Sequence, residues 1–166
     1  MRVKEVRFEK LFSIGDFNNE RIGFTVELAE DDDEKKVLGE LYFRVVQIEE
    51  CLQALRDIER EVRSLECERE DCELRVKASR SCVEALEEKL RLIMESSDER
   101  LKGFYESELK KYESELMELK TREDELRRIN ARLEELKRAR EELKGRIRDG
   151  EFTLKGIPVK PSRGVL

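Results

Sequence analysis

Apolar residues recur at alternating intervals of three and four through a long central stretch, from about Leu41 to Asp149. Dense Glu, Lys and Arg residues stand between them, and the stretch contains no proline. This spacing is the a and d pattern of a coiled coil, sustained over many heptads, and it predicts long paired helices. Two parts of the register read Cys72, Val76, Ser79, Val83, Leu86, Leu90, Ile93 and Leu126, Ile129, Leu133, Leu136, Arg140, Leu143, Ile147.

One cluster of poor helix formers, Ser96-Ser97-Asp98-Glu99, interrupts this stretch. Ser96 and Glu99 have the spacing of a capping box, which starts a new helix. We therefore expect the chain to turn here, so that two helices of similar length fold back into an antiparallel hairpin. The alternative is one continuous helix that pairs only with other chains.

Two segments before the helices have the alternation of β-strands, residues Val3–Phe12 and Arg21–Leu28. In the second segment Ile22, Phe24, Val26 and Leu28 alternate with mostly polar residues. Residues 15–20 between the segments are rich in residues that favour turns. The pattern predicts a β-hairpin with one apolar face, which needs a covering element because two strands alone are marginally stable.

After a glycine at position 150, where a helix is expected to end, residues 151–156 alternate like a short strand. We expect this segment to add a third strand to the hairpin. The predicted fold class is α+β: a long antiparallel two-helix coiled-coil hairpin on a small three-stranded antiparallel β base. The predicted divisions are a β-hairpin base (1–30), an acidic linker and helix cap (31–40), a coiled-coil helical hairpin with a turn near 96–99 (41–149), and a C-terminal strand with an extended tail (150–166).

Composition argues against an enzyme. Charged residues make up 46% of the chain, histidine is absent, and no nucleotide-binding glycine motif occurs. The four cysteines at 51, 67, 72 and 82 form no C-x-x-C pair, so we expect reduced thiols beside the helix seam and no metal site. No pair of residues stands out as an acid–base pair or a nucleophile, and we therefore expect no catalytic residue and no cofactor.

The net charge is −6, but basic residues concentrate between Leu126 and Arg148. Ion pairing with acidic residues explains such a stretch, and contact with nucleic acid is the alternative. The acidic balance of the whole chain disfavours general nucleic-acid binding. The basic residues are Arg127, Arg128, Arg132, Lys137, Arg138, Arg140, Lys144, Arg146 and Arg148.

Several apolar residues near the expected turn exceed what one coiled-coil seam can bury, and exposed apolar patches mark contact surfaces. We expect the helical arm to bind a protein partner, a second copy of the chain, or both. The candidates for this contact are Ile93, Met94, Phe104, Tyr105, Tyr112 and Leu116. No apolar segment is long enough to cross a membrane, and the first residues lack the apolar core of a signal peptide, so the expected location is cytoplasmic.

The segment Phe8-Glu-Lys-Leu-Phe-Ser-Ile-Gly-Asp-Phe-Asn-Asn-Glu-Arg-Ile-Gly resembles hairpins that open a set of uncharacterised small phage and mobile-element proteins. This resemblance covers about the first thirty residues and implies no activity. In outline, a small β base that carries a helical hairpin also resembles prefoldin subunits, which implies a holdase chaperone. We expect a non-enzymatic scaffold, adaptor or oligomerisation protein. The alternatives are a prefoldin-like holdase and a nucleic-acid-associated accessory factor.

Overall fold

The computed structural model describes residues 4–13, 19–96 and 99–158 and has the expected α+β composition. Its elements in chain order are β1 (Glu5–Ser13), β2 (Asn19–Glu27), α1 (Glu34–Glu95), α2 (Glu99–Lys102) and α3 (Tyr105–Arg148). The chain divides into two compact units. Unit 1 consists of residues 1–60 and 138–166, and unit 2 of residues 61–137, so that α1 and α3 each contribute to both units.

In unit 1, β1 and β2 form a two-stranded antiparallel sheet in which Val6 lies opposite Val26 and Phe8 opposite Phe24. The side chains of residues 6, 8, 10, 22, 24 and 26 are half-buried, whereas those of 5, 7, 9, 21, 25 and 27 are exposed. The predicted alternation is thus confirmed. The predicted turn at 15–20 falls largely on residues 14–18, which lie outside the described residues.

The half-buried face of the sheet is supported by α1. The ring of Phe8 meets the ring of Tyr42 edge to face, with a centroid separation of 5.7 Å and an angle of 87°. Lys10 forms an ion pair with Glu49, which lies two helical turns beyond Tyr42 on the same side of α1. These contacts give the hairpin the support that a two-stranded sheet lacks by itself.

The helix α1 begins at Glu34 rather than at Leu41, so most of the predicted linker at 31–40 is helical. Asp33 explains this early start. Its side-chain Oδ1 accepts the N–H of Lys35 at 3.0 Å and its main-chain carbonyl accepts the N–H of Val37 at 3.0 Å. An aspartate in this position satisfies an otherwise unpaired amide of the first turn and complements the helix dipole.

The predicted third strand is not confirmed. Residues 151–158 form no strand, and the sheet of the described residues has two strands; residues 159–166 lie outside the described part. The local hydrogen bonds explain this, because Arg146 Nη1 donates to the carbonyls of Thr153 at 3.1 Å and Lys155 at 2.8 Å. The guanidinium of Arg146 therefore occupies backbone carbonyls that a third strand would use for hydrogen bonds to its neighbour.

The buried side chains of unit 1 lie mainly along one stripe of α1. Cys51 and Ala54 are buried in this stripe, whereas the predicted seam residues Leu52 and Leu55 are only half-buried. Consecutive steps of three residues from Ile48 to Ala54 shift the heptad, and this shift rotates the stripe around the helix. The full buried set is Leu41, Val45, Ile48, Cys51, Ala54, Ile58, Ala139, Leu143 and Ile157.

In unit 2 the buried residues of α1 follow the predicted register. They are Val62, Cys72, Val76, Ser79, Val83, Leu90 and Ile93, together with Glu108, Leu119, Ile129, Leu133 and Leu136 of α3. Ion pairs join the two helices here: Glu66 to Lys137 at 2.9 Å, Arg80 to Glu123 at 2.7 Å, and Lys89 to Glu108 at 2.9 Å. Residue numbers rise along α1 while those of the α3 partners fall.

Ser79 and Arg69 are the two polar residues predicted at seam positions. Ser79 is buried and accepts a hydrogen bond from Arg122 of α3. Arg69 is only half-buried and lies 3.4 Å from Glu73 on its own helix. Of these two residues, Ser79 is therefore the one whose hydrogen bond joins α1 to α3.

The helices break where the sequence predicts a turn. The helix α1 ends at Glu95, and the four-residue α2 and the turn at Gly103 and Phe104 precede α3. A single helix over the whole stretch 41–149 is therefore not what the described residues form. The middle of the expected capping box, residues 97 and 98, lies outside the described part.

Candidate protein-binding surface

Four large apolar side chains are exposed near the helix break in unit 2: Leu92, Met94, Leu101 and Phe104. We call them the apolar break residues. Met94 is 67% exposed and Phe104 is 61% exposed. Exposed apolar side chains are ordinary when they are scattered singly, but four of them within a short segment are typical of a contact surface.

The backbone of this segment is held by its own hydrogen bonds. The N–H of Phe104 donates to the carbonyl of Leu101 at 3.0 Å, and the N–H of Gly103 donates to the carbonyl of Glu99 at 3.2 Å. The carbonyl of Phe104 in turn accepts the N–H of Glu108 at 3.1 Å, in the first turn of α3. A tied backbone presents these side chains at low entropic cost when a partner binds.

The sequence-based candidates divide into three groups. Met94 and Phe104 are exposed as expected, whereas Tyr105, Tyr112 and Leu116 are half-buried. Ile93 is buried, at only 6% exposed, and so does not lie on the exposed surface of this segment. It lies on the buried heptad stripe that runs from Val62, and its neighbours Leu92 and Met94 point away from that stripe.

Leu92 and Leu101 are not among the contact residues predicted from the sequence. Leu92 lies outside the a and d register that continues through Leu90 and Ile93. Its position in the heptad therefore predicts that its side chain is exposed. Leu101 belongs to α2, a helix of four residues with no buried side chain among those described. No periodicity can be read from so short an element, so its exposure was not predictable.

Among the described acidic side chains of unit 2, one is buried. Glu108 is 7% exposed and lies 2.9 Å from both Lys89 of α1 and Lys111 of α3. The ammonium groups of Lys89 and Lys111 lower the pKa of the Glu108 carboxyl, and their effect outweighs the opposing effect of burial. The carboxylate stays ionised near neutral pH, so it acts as a fixed anion in the first turn of α3 rather than as a proton donor.

The basic residues of α3 in unit 2 mostly have acidic partners. Arg132 contacts Glu61 at 2.9 Å and Glu135 at 2.7 Å, and Arg127 contacts Asp124 at 3.1 Å. Lys137 pairs with Glu66, and Arg128 is exposed. The carboxylates of Glu135 and Glu61 raise the pKa of Arg132.

The basic residues of unit 1 are also engaged. Lys144 lies 3.4 Å from Glu59 of α1, Arg140 lies 3.0 Å from Glu141, and Arg148 lies 3.6 Å from Asp149. Arg146 pairs with Glu142 and binds the two tail carbonyls, and Arg138 also has an interaction partner. These carboxylates offset most of the positive charge that phosphate binding requires.

All four cysteines are free, with Cys51 and Cys72 buried and Cys67 and Cys82 exposed. Burial raises the pKa of Cys51, with the charge of Glu50 adding to the effect, and burial likewise raises the pKa of Cys72, together with Glu125. The Cys72 thiol also donates to the carbonyl of Arg122 at 3.6 Å. Protonated thiols are poor nucleophiles and poor metal ligands, and within the described ranges no three metal-binding side chains come together.

The comparisons with known proteins return no match, whether to a family model, to a curated protein or to a solved structure. Across the described residues, every helix is too short or too polar to cross a membrane.

Proposed function

We propose that this chain is a non-enzymatic adaptor or scaffold that binds another protein through the apolar break residues. The observation that carries the proposal is the exposure of Leu92, Met94, Leu101 and Phe104 within one short segment of unit 2. A protein surface of this kind gains free energy when a partner removes it from water, at roughly 25 cal/mol for each Å² of apolar area.

In this proposal α1 and α3 of unit 2 pair as an antiparallel coiled-coil hairpin, and the apolar break residues lie where the chain reverses. The falling α3 numbers of the Glu66–Lys137, Arg80–Glu123 and Lys89–Glu108 pairs support an antiparallel arrangement. The buried stripe on each helix supports a shared seam. Four free thiols also favour a reducing compartment such as the cytoplasm.

An affinity capture from the native host tests the binding site. The bait is the full chain, compared with the double variant Met94→Ser, Phe104→Ser. A partner that uses these residues is retained by the parent chain and lost by the double variant. The matched control is Met117→Ser, since Met117 is also exposed on unit 2 but lies away from the break. Equal recovery of every protein by the parent and the double variant would refute the proposed surface.

A holdase chaperone is the second candidate, because the same exposed residues suit the capture of unfolded chains. The two functions differ in selectivity: an adaptor retains a defined folded partner, whereas a holdase suppresses aggregation of unrelated clients. Light scattering of a chemically denatured client, diluted with and without the protein, separates them. Suppression that the parent shows and the Met94→Ser, Phe104→Ser variant loses would support the holdase. Aggregation at the same rate with and without the parent would exclude it.

A further inference from the structure

Among the described residues, the hydrogen-bond pattern of the hairpin leaves the outer edge of β1 unpaired. The N–H of Leu28 donates to the carbonyl of Lys4 at 3.0 Å, so these two opposite residues form a hydrogen-bonded pair. The strand register places the other even-numbered residues of β1 opposite even-numbered residues of β2, at steps of two from this pair. In an antiparallel pair, hydrogen-bonded and non-hydrogen-bonded positions alternate. The even-numbered residues of β1 therefore direct their N–H and C=O groups toward β2, and the odd-numbered residues Glu5, Arg7, Glu9 and Leu11 direct theirs outward.

We infer that two copies of this chain pair through their β1 edges and form a continuous four-stranded antiparallel sheet. In this dimer Phe8 lies opposite Phe8 of the second copy, on the two-fold axis. Arg7 lies opposite Glu9 of the second copy, and Glu9 lies opposite its Arg7. The interface belongs to unit 1, so it goes beyond the proposed function of the apolar break residues in unit 2 and does not depend on it.

The charges of β1 disfavour the two registers adjacent to this one. Moving the strands so that Arg7 lies on the axis places Arg7 opposite Arg7 and Glu5 opposite Glu9. Moving them so that Glu9 lies on the axis places two Glu9 carboxylates opposite each other. Like charges directly opposite one another are destabilising, whereas opposite charges are stabilising. The Phe8-centred register is the one of these three in which each Arg7 meets a Glu9.

The packed face of the sheet also suits this register. Phe8 occupies a non-hydrogen-bonded position with respect to the second copy, where facing side chains approach most closely. Its ring already meets Tyr42 and is half-buried, so a second Phe8 extends an existing aromatic contact. A two-stranded sheet is marginally stable, and four strands carried on α1 of both copies bury more apolar surface.

The edge of β2 is the weaker candidate. A self-pairing centred on Phe24 also sets Arg21 opposite Glu27, but only at the strand ends. In this β2 pairing Gly23 lies next to the two-fold axis, and glycine weakens a strand because it has no side chain to pack. An added Cβ at Gly23 would lie 2.7 Å from Cγ of Glu9, so a larger residue there requires the Glu9 side chain to shift.

Charge reversal in the full-length chain tests the dimer, with the molar mass followed by sedimentation equilibrium. The parent is expected to approach twice the chain mass of 19.7 kDa as its concentration rises. The single variants Arg7→Glu and Glu9→Arg each set like charges opposite one another twice, so each should weaken dimerisation about ten-fold or more. An equimolar mixture of the two variants restores opposite charges at both positions, and it should form a heterodimer at the parent's affinity.

Both substituted residues are exposed, and far-UV circular dichroism checks that the variants keep the parent's helix content. The matched control is Glu27→Lys on β2, which should dimerise like the parent. A parent that stays at 19.7 kDa at high concentration would overturn the inference. Single variants that dimerise normally, or a Glu27→Lys variant that becomes monomeric, would overturn it as well.

Discussion

Glu108 shows how a single charged residue is accommodated in unit 2. Its carboxylate is removed from water but lies 2.9 Å from two ammonium groups, those of Lys89 and Lys111. Removing the carboxylate leaves two neighbouring ammonium groups without their anion, although both lysine side chains are exposed, so the loss is that of a partly shielded ion pair. Lys89 belongs to α1 and Lys111 to α3, so Glu108 forms one ion pair between α1 and α3 and one within α3.

Glu108→Gln is expected to lower the free energy of unfolding at neutral pH. The pKa of Glu108 lies below its ordinary value of 4.5, so its contribution is fully present above that pH and is lost as the pH falls through the folded-state pKa. The variant should therefore lose stability at pH 7 but match the parent in strong acid. Urea unfolding at several pH values measures this difference. Glu106→Gln, two residues earlier and exposed, is the control, and a Glu108→Gln curve parallel to the parent at every pH would contradict the role.

The end of α3 shows how one element is terminated. The N–H of Glu151 donates to the carbonyl of Arg146 at 2.8 Å, and the N–H of Gly150 donates to the carbonyl of Ile147 at 3.1 Å. These two bonds form a Schellman motif, and Gly150 supplies the left-handed backbone with a φ of 78°. The turn directs the tail back so that the carbonyls of Thr153 and Lys155 meet Arg146.

Two glycine substitutions near the end of α3 should have opposite effects. Gly150→Ala places a Cβ in the left-handed region and should lower the free energy of unfolding by about 1 kcal/mol. Gly145→Ala lies within the helix, where an added Cβ meets nothing within 4 Å, and should raise it by about 0.5 to 1 kcal/mol. Thermal or urea unfolding measures both changes. A stabilising Gly150→Ala substitution would show that the helix does not end through this motif.

At the scale of the whole molecule, the α1–α3 contacts within unit 2 lead to the proposed hairpin. The ion pairs Glu66–Lys137, Arg80–Glu123 and Lys89–Glu108 have exposed or half-buried basic partners. Each such pair contributes little to the free energy of unfolding, about 0 to 1 kcal/mol. The buried stripe of apolar residues supplies most of the stabilisation. Ser79 and Arg122 add a polar contact that favours one register over its neighbours.

Spin labels at Glu61 and Lys137 test the hairpin. In a folded-back chain the two labels should lie within two helix diameters, about 20 to 24 Å. The labels are attached to cysteines introduced after Cys67→Ser and Cys82→Ser, because the remaining two thiols are buried. Dilution with unlabelled protein removes distances between copies.

A label pair at Glu61 and Glu88, both on α1, calibrates the measurement at about 40 Å, the length of the intervening helix. A Glu61–Lys137 separation of about 100 Å would exclude a fold-back and would favour helices that pair only between chains.

The sequence by itself determined the two strands, the long helices and the buried stripe of α1 in unit 2. Alternation predicted the two strands, heptad spacing predicted the stripe from Val62 to Ile93, and the serine cluster predicted the break between α1 and α3. These features are local, because side-chain periodicity follows directly from helix and strand geometry. The exposure of Met94 beside buried Ile93 follows from the same register.

Tertiary structure decided which surfaces cover one another. The sheet rests on α1 through Phe8 and Tyr42 instead of gaining a tail strand, since Arg146 takes the tail carbonyls. Burial of Cys51 and Ala54 in place of Leu52 and Leu55 depends on which side of α1 faces its neighbours. Both outcomes depend on which of several groups, far apart in the sequence, contacts a given partner. The spacing of residues along the chain does not specify such contacts.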